Sequence, residues 1–312
     1  MNDQKISIII PVYNVEKYVR ETLISVKNQS SKPDEVIIIN DGSTDDSFNI
    51  VKDMKDTESW KIFDTRNQGL GLTRNYGKSL AKGDYIYFLD SDDILEQNFI
   101  HDMQNLIKNY NQPDVILFSG KIFSNHEISK HKINLNFSID GQYFQGDSLL
   151  TNLVKRRETL PQASRYLSKK SLWSKNNLSY PAGIAEDEAI FFPLISLSKN
   201  TVISKKSYYR YRVDRPGSIT LDKVKSSHAK DYLNRILFTI NFMHTNKKIT
   251  QSDLCAWNYN LERKCLKYVN LCLKTKTNIS WSSVYSIFLL TKNFIFLFKI
   301  IWRILKDFFK YS

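Results

Sequence analysis

This sequence is short of the residues that mark several common protein classes. Its 312 residues include only three cysteines, ten glycines and seven prolines. So little glycine and proline excludes collagen-like and low-complexity chains. The cysteines (Cys255, Cys265 and Cys272) are odd in number and lack metal-ligand spacing, which argues against a disulfide framework. We therefore expect a protein of the reducing cytoplasm.

Several other signals are missing. The five histidines show no metal-ligand spacing, and no repeat recurs at solenoid or propeller spacing. The segment MNDQKISIII lacks the basic start and the cleavage site of a signal peptide. The longest run without charge, Thr277 to Thr291, is too short and too polar to cross a bilayer. We expect neither a leader nor a membrane-spanning helix.

What the chain does have is a large apolar fraction and an excess of positive charge. Hydrophobic residues make up 42% and aromatic residues 13%, which excludes a disordered chain and suffices for a full core. The net charge of +13 favours an anionic partner, such as a phosphorylated substrate or an anionic lipid surface. No zinc-finger or RNP signature accompanies this charge, so we expect no nucleic-acid partner.

The first hundred residues alternate between apolar runs and helical patterns. The runs at 6–12, 35–40, 60–65 and 84–89 are typical of strands, most of them buried on both faces. This βαβαβαβ order predicts an α/β fold with a doubly wound, mainly parallel sheet. In such sheets, ligands bind beyond the carboxyl ends of the strands.

After residue 115 the pattern is mixed and then helical. Strands are predicted at 114–123 and 199–213. Apolar residues recur every three or four positions from Leu254 to Cys272, which predicts an amphipathic helix. We place a boundary near residue 220.

The acidic run Asp90-Ser91-Asp92-Asp93 directly follows the fourth predicted strand. Carboxylates cannot bind a diphosphate directly, but they can hold a hard divalent cation that also binds phosphate oxygens. Mg²⁺ and Mn²⁺ suit one or two carboxylates plus phosphates and water. The alternative is an acidic turn that caps the next helix, whose first turn includes Glu96. The position of the run at the carboxyl edge of the sheet favours the metal site.

Further polar residues follow the other strands. Asp41 closes the second strand, where its carboxylate can accept hydrogen bonds from a base or ribose. Taken alone, an acid before Gly42 is more typical of a turn. Arg74, near the start of a helix, can neutralise phosphate, and Asn67 can orient a neighbouring loop. A solvent-facing arginine is the alternative.

Glu186-Asp187-Glu188 lies between a glycine-containing loop and an apolar run, in GIAEDEAIFF. The helix dipole stabilises acids in a first helical turn without any catalytic role. The functional alternative is a general base that takes the proton from an acceptor hydroxyl. Because the dipole would lower the pKa of that base, burial or a neighbouring acid would be needed to restore its basicity.

The segment Tyr208–Arg212 alternates as a strand does. Its pattern places Tyr209 and Tyr211 on one face and Arg210 and Arg212 on the other. It is either a half-buried edge strand or a source of arginines for a leaving diphosphate.

Near the carboxyl end, Ile287 to Phe309 is dominated by Ile, Leu, Phe and Trp. An amphipathic helix with cations on one face suits an anionic membrane surface, and we expect residues 285–312 to bind one. A terminal helix packed on the domain or a dimer contact is the alternative. The cations predicted to share one helical face are Lys292, Lys299, Arg303, Lys306 and Lys310.

Four segments in order resemble the inverting family-2 glycosyltransferases with a GT-A fold. They are SIIIPVYNVEKYV, VIIINDGSTDDS, RNQGLGLTRNYGKSLAKGDYIYFLDSDD and GIAEDEAIFF. The resemblance implies that Asp187 is the catalytic base with Glu186 beside it, and that Asp92 binds the metal with Asp93 as a helper. The histidine that some relatives use as a further metal ligand is missing. The residues implied to bind the nucleotide sugar are Pro11, Tyr13, Asn14, Glu16, Asp41, Asn67, Arg74, Asp90, Ser91, Asp92 and Arg212.

The resemblance also implies a reaction. Such enzymes move a hexosyl or N-acetylhexosaminyl group from a nucleotide-sugar donor, most often a UDP-sugar, with Mn²⁺ or Mg²⁺. The acceptor is a glycan or a polyprenyl-diphosphate-linked oligosaccharide of capsule, O-antigen or lipopolysaccharide synthesis, at the inner face of the cell membrane. The expected division is a catalytic domain at 1–220, with its nucleotide-binding half at about 1–110 and its acceptor half at about 111–220, a helical extension at 221–280 and a membrane-associating helix at 281–312.

Two other functions are compatible with parts of the pattern. One is a membrane-docked, catalytically degenerate protein that only binds nucleotide sugars, although acids at both Asp92 and Asp187 favour an enzyme. The other is a nucleotidyltransferase, which normally carries a glycine-rich phosphate loop after its first strand. This chain has PVYNVEKY there.

Overall fold

The computed structural model describes residues 4–55, 60–124, 133–159, 161–183, 186–213, 226–246 and 248–308. The first part of the chain forms four parallel strands connected by helices, as the sequence predicts. The strands are β1 (Ile6–Val12), β2 (Glu35–Asp41), β3 (Trp60–Thr65) and β4 (Tyr85–Phe88). The helices are α1 (Val19–Lys27), α2 (Ser47–Asp53) and α3 (Leu70–Leu80).

The unbroken apolar runs have a simple cause, because the sheet carries a core on each face. Ile9, Ile37 and Ile39 pack into one core, whereas Ile8 and Ile38 pack into the other. Successive side chains of a strand point to opposite faces, so a strand covered on both sides needs apolar residues throughout. The doubly wound, mainly parallel half of the fold is confirmed.

The next part of the chain extends the sheet in mixed directions. Its strands are β5 (Ile94–Leu95), β6 (Val115–Phe123), β7 (Gly141–Phe144), β8 (Tyr166–Lys169) and β9 (Asn200–Arg212). The full strand order is β3-β2-β1-β4-β8-β6-β9-β5, and β7 pairs with β9. The strand β8 runs antiparallel to both β4 and β6, whereas β6 and β9 are parallel. The helices among them are α4 (Phe99–Asn109), α5 (Leu149–Arg156), α6 (Lys170–Lys175) and α7 (Asp187–Leu197).

Four helices follow and pack around a third core. They are α8 (Ser226–Thr245), α9 (Gln251–Thr275), α10 (Trp281–Thr291) and α11 (Phe294–Phe308). Trp257 of α9 anchors this extension to α7, because its indole nitrogen donates a 2.8 Å hydrogen bond to Ser196 and its ring meets Phe192. The predicted boundary near residue 220 lies outside the described residues.

The predicted helix beginning at Ile287 is divided into two. Lys292 adopts a left-handed conformation (φ 50°) that ends α10. Asn293 then accepts hydrogen bonds from the backbone N–H groups of Ile295 (3.1 Å) and Phe296 (3.3 Å), which start α11. Lys292 therefore lies at the break instead of sharing a helical face with Lys299. Lys310 and the side chain of Lys306 lie outside the described residues.

The last two helices have one packed face and one exposed face. Val284, Ile287, Phe296 and Ile300 are buried against the third core. None of the helices in the described ranges is both long and apolar enough to cross a membrane. Large apolar side chains nevertheless stay exposed along the opposite side, namely Trp281, Tyr285, Leu289, Phe294, Ile295, Phe298, Ile301, Trp302 and Leu305. We call this set the apolar stripe.

Candidate functional site

Most of the polar residues singled out in the sequence lie at one edge of the sheet. The four parallel strands are adjacent in the order β3-β2-β1-β4, so their carboxyl ends point the same way. Tyr13 follows β1, Asp41 ends β2, Asn67 follows β3 and the run starting at Asp90 follows β4. This edge is where α/β sheets bind ligands.

The loops after β1 and β2 are joined by reciprocal hydrogen bonds. Asn14 accepts a 2.8 Å hydrogen bond from the backbone N–H of Thr44 through its side-chain oxygen. The carboxylate of Glu16 accepts one from Asp46 N–H (3.0 Å), and Glu16 N–H donates to the carboxylate of Asp45 (3.0 Å). We call this arrangement the loop clasp. Asn14 and Glu16 thus position the loops, and Tyr13, between them and β1, is 48% exposed.

Asp41 fixes the loop that leads into α3. Its two carboxylate oxygens accept hydrogen bonds from the backbone N–H groups of Gln68 and Gly69, both at 3.0 Å. Gly42 beside it has φ 70°, and a Cβ there would lie 2.7 Å from the backbone nitrogen of Asn67. Only glycine fits this turn. The turn and the loop therefore form a unit, with the side chain of Asn67 exposed on it.

Arg74 is buried at the centre of the site, so the solvent-facing alternative is wrong. Its guanidinium donates to the carboxylate of Asp90 (2.5 Å) and to that of Glu186. Burial alone would lower the pKa of Arg74, but Asp90 and Glu186 outweigh it and raise the pKa above its ordinary value. The ring of Tyr180 lies 5.5 Å from the guanidinium carbon. Arg74 thus links the acid after β4 to the acidic segment that begins α7.

Two further residues complete this network, and the sequence did not reveal them. Ser164, which sits before β8, donates a 3.0 Å hydrogen bond from its hydroxyl to the second oxygen of Asp90, and its backbone oxygen accepts one from the hydroxyl of Tyr87. Tyr180 shares a 2.8 Å hydrogen bond with the hydroxyl of Tyr166. Neither lies in a recognisable motif, so only the three-dimensional arrangement identifies them.

Asp187 begins α7 and lies next to this network. Its carboxylate accepts a 2.9 Å hydrogen bond from the N–H of Glu188. Burial raises the pKa of Asp187 well above its ordinary value, the charge of Glu186 raises it further, and Arg74 opposes both. From the sequence we expect burial or a neighbouring acid to raise the pKa of a base at a helix start against the effect of the helix dipole, and both act on Asp187. A carboxylate in this state is a stronger base than a solvated one.

The acids of the run after β4 differ in their surroundings. Asp92 is partly exposed, whereas Asp93 is fully buried. One oxygen of Asp93 accepts a 2.8 Å hydrogen bond from Arg212 N–H, and the other has no hydrogen-bond partner among the described residues. Burial, followed by the charges of Asp92 and Asp90, raises the pKa of Asp93 well above its ordinary value.

These surroundings bear on whether the run fits a metal ion. Within the described ranges, no three His, Cys, Asp or Glu side chains are grouped so as to hold a metal. Both oxygens of Asp90 are already occupied by Arg74 and Ser164. A Mg²⁺ or Mn²⁺ ion that takes one or two carboxylates from the protein and the rest from phosphate and water fits Asp92, together with the spare oxygen of Asp93.

Arg212 is buried, although the alternating pattern placed it with the exposed Arg210. Its guanidinium donates to the backbone oxygen of Asp92 (2.8 Å) and to the carboxylate of Glu21 (2.6 Å). Arg210 instead pairs with Glu96 at the surface. Arg212 therefore holds the acidic run in place, and its contact with a leaving diphosphate stays a prediction.

Comparison with known proteins gives a consistent result. Residues 7–161 match the model of the family described as Glycosyl transferase family 2. Glycosyltransferase GlyA of Streptococcus pneumoniae is 32% identical over 224 residues, which are 70% of this chain and 32% of GlyA. Glycosyltransferase GlyG of the same organism is 27% identical over 88% of this chain and 89% of GlyG. The chain thus spans about a third of GlyA and most of GlyG.

A solved structure is also similar. The crystal structure of residues 1–349 of S. aureus TarS, in complex with UDP-GlcNAc, aligns with a TM-score of 0.64 at 20% identity. The alignment covers 86% of this chain and 83% of that one. The two chains therefore share a fold.

Proposed function

This chain belongs to glycosyl transferase family 2, and we propose that it is an inverting enzyme that moves a sugar from a nucleotide-diphosphate donor to a hydroxyl group of an acceptor. Its fold is the GT-A fold that the sequence predicts. The observation that carries the proposal is the network Asp90–Arg74–Glu186, which joins the edge of the parallel sheet to Asp187. It brings a diphosphate-binding edge and a candidate base together.

The donor we propose is a UDP-sugar, either a hexose or an N-acetylhexosamine. The similar structure of TarS contains UDP-GlcNAc, which supports this donor class. The residues proposed to bind it surround the loop clasp and the acidic run. Tyr13 offers an exposed ring for a base, and Asn67 an exposed amide.

The reaction we propose is a single displacement at the anomeric carbon. The acceptor oxygen forms the new bond to this carbon as the bond to the donor diphosphate breaks, and the configuration inverts. Asp187 takes the proton of the acceptor hydroxyl, and the charges of Glu186 and Arg74 tune its basicity in opposite directions. The electron pair of the broken bond leaves on the diphosphate.

Asp92 is the proposed ligand of a Mn²⁺ or Mg²⁺ ion, with Asp93 as a helper. When bound, such an ion neutralises charge that develops on a leaving diphosphate. Arg212 contributes by holding the backbone of the acidic run, since it donates to the backbone oxygen of Asp92 and binds Asp93 through its N–H. Pro11 and Ser91, both buried beside the edge, shape the loops on either side.

The acceptor we propose is a surface glycan or a lipid-linked oligosaccharide, reached at the inner face of the cell membrane. The apolar stripe supports this location, because nine large apolar side chains stay exposed along α10 and α11. The exposed Lys299 borders the stripe on α11. Aromatic and aliphatic side chains with neighbouring cations are typical of helices that lie in an anionic interface.

One experiment separates this enzyme from a degenerate binding protein with the same fold. Purified chain with Mn²⁺ is incubated with UDP-, GDP- and CDP-sugars, and release of the nucleoside diphosphate to water is measured. An enzyme hydrolyses one donor slowly without an acceptor, and the Asp187→Asn variant does not. Donor binding without any hydrolysis would favour the binding protein.

A further inference from the structure

A cleft opens between the first turn of α7 and the middle of α9. Glu188 and Phe192 of α7 line one wall, and α9 lines the other. Glu188 directly follows Asp187 in the chain, so the cleft lies one residue along α7 from the proposed base.

The wall contributed by α9 is cationic. Arg263, Lys264 and Lys267 line it, whereas Glu188 is the one carboxylate among its described lining residues. Arg235 of α8 also acts on Glu188. Burial would raise the pKa of Glu188, but these four cations outweigh it and lower the pKa, so Glu188 is ionised. Lys267 pairs with Glu188 at 3.5 Å, and Arg263 and Lys264 remain as an excess of positive charge in the lining.

Lys264 is the most constrained of these cations. It is 4% exposed, and its ammonium donates one hydrogen bond within the described structure, to the hydroxyl of Thr239 at 3.0 Å. Burial lowers the pKa of Lys264 to about 8. An ammonium has three N–H groups, and leaving donors unused in a buried place is costly. The amide nitrogen of Asn260, also in the lining, is buried without a hydrogen-bond partner among the described residues.

Unused donors and an excess of positive charge match an anion with several acceptor oxygens. We propose that this cleft binds a phosphoryl group of the acceptor, an inference that rests on the proposed function. Phosphate oxygens accept charge-assisted hydrogen bonds from Lys264, Lys267 and Arg263. With the phosphoryl group held there, a hydroxyl further along the same molecule can extend along α7 to Asp187. The acceptor is therefore a phosphate-bearing substrate instead of a neutral glycan.

The test uses the whole chain with Mn²⁺ and saturating UDP, so that the donor site is filled. Inorganic phosphate and a short oligomer of glycerol phosphate are titrated separately by calorimetry. Both bind the wild-type protein, and the double variant Arg263→Gln/Lys267→Gln loses at least about tenfold in affinity for the oligomer. Both side chains are exposed, so the fold tolerates the change. Lys264→Met shows the same loss if it folds.

Lys274→Gln is the matched control, because Lys274 is exposed on the same helix outside the cleft. Equal oligomer affinities in the double variant and the control would overturn the inference. Binding of inorganic phosphate without binding of the oligomer would overturn it too, since the cleft would then take free phosphate. UDP-sugar binding by the wild-type chain is measured first. If the wild-type chain does not bind a UDP-sugar, the proposed function is contradicted. If it does, but the double variant binds the oligomer as tightly as the control, only the proposal for the cleft is contradicted.

Discussion

Arg74 and Glu186 are 112 positions apart in the chain and form a buried ion pair that ties α3 to the start of α7. Arg74 also binds Asp90, so one side chain connects the end of β4 with the segment that carries Asp187. Gly71 permits this approach, because a Cβ there would lie 2.5 Å from the backbone oxygen of Pro181. The relative position of the sheet edge and Asp187 depends on this contact.

Replacing Arg74 with methionine should destabilise the protein strongly, since Glu186 would be left charged and buried. Removing one partner of a buried pair costs about 3–5 kcal/mol, measured by urea unfolding. Arg210→Met is the control, because it breaks the exposed pair with Glu96 and should cost less than about 1 kcal/mol. The double variant Arg74→Met/Glu186→Gln should recover part of the loss. Similar costs for the two single variants would contradict the proposed role of the pair.

The Asp187→Asn variant should lose transfer activity and keep its affinity for the donor. A general base contributes about 10²- to 10⁴-fold to the rate, and the amide cannot take a proton. In the wild-type enzyme kcat/KM should rise with pH through the raised pKa of Asp187, because only the ionised carboxylate is a base. Steady-state rates across pH and donor titrations check both parts. Asp102→Asn, on α4, controls for a general loss of charge, and full turnover by Asp187→Asn would rule out the assigned base.

Asp92→Asn should abolish the metal dependence of donor binding. The partly exposed Asp92 offers a carboxylate to an ion, and an amide is a much weaker ligand for Mn²⁺. Calorimetric titration of UDP with Mn²⁺, and again with a chelator, measures the difference. Asp46→Asn, an exposed acid on the loop clasp, should behave as wild type. If Asp92→Asn still responds to Mn²⁺ as the wild type does, the ion is held elsewhere.

Charges placed on the apolar stripe should release the protein from anionic membranes. Phe298 and Trp302 are 68% and 54% exposed, and a buried large apolar side chain contributes about 1.5–3 kcal/mol. Phe298→Glu/Trp302→Glu should therefore abolish flotation with anionic vesicles, while Phe144→Glu, at an exposed site on β7, leaves it unchanged. Deleting both helices would be a poorer test, because they also cover the third core. A change in oligomeric state with unchanged flotation would favour the dimer contact.

Glu35→Gln should make stability depend less on pH. Burial would raise the pKa of Glu35, but hydrogen bonds from Lys61, Lys82 N–H and Ser7 lower it below 4.5. Its stabilisation is therefore complete above pH 4.5 and is lost as pH falls through the lowered pKa of the folded state. We expect a loss of about 1.5–3 kcal/mol at pH 7 that becomes smaller as pH falls below 4.5, measured by urea unfolding. A loss that is the same at pH 7 and below pH 4.5, or matched by the exposed Asp53→Asn, would refute this role.

The parallel half of the fold could be predicted because strands buried on both faces have continuous apolar sequences. The location of the site followed from that, since the carboxyl ends of such strands meet at one edge. The strand β8 could not be predicted, because its four residues YLSK carry no periodic signal. Ser164 and Tyr180 were missed for the same reason.

Sequence patterns also indicated which residues are candidates for the site better than they indicated what those residues contact. Nothing local distinguishes the buried Arg212 from the exposed Arg210, since the partners of Arg212 come from α1 and from the acidic run. The break at Lys292 lacks the glycine that usually marks a left-handed residue. The positions of charged side chains depend on distant partners, and a single sequence does not show those.

The loop clasp has a consequence for attempts to redesign this protein. Asn14 and Glu16 hold the neighbouring loop through its backbone, at Thr44 and Asp46. If only one of these two loops were replaced by that of a relative, its hydrogen-bond partners in the other loop would be missing. Polar groups in both loops would then be left without hydrogen bonds. Donor preference should therefore be exchangeable only when the two loops are grafted together, as one cassette, and a library that varies either loop alone would yield mainly misassembled chains.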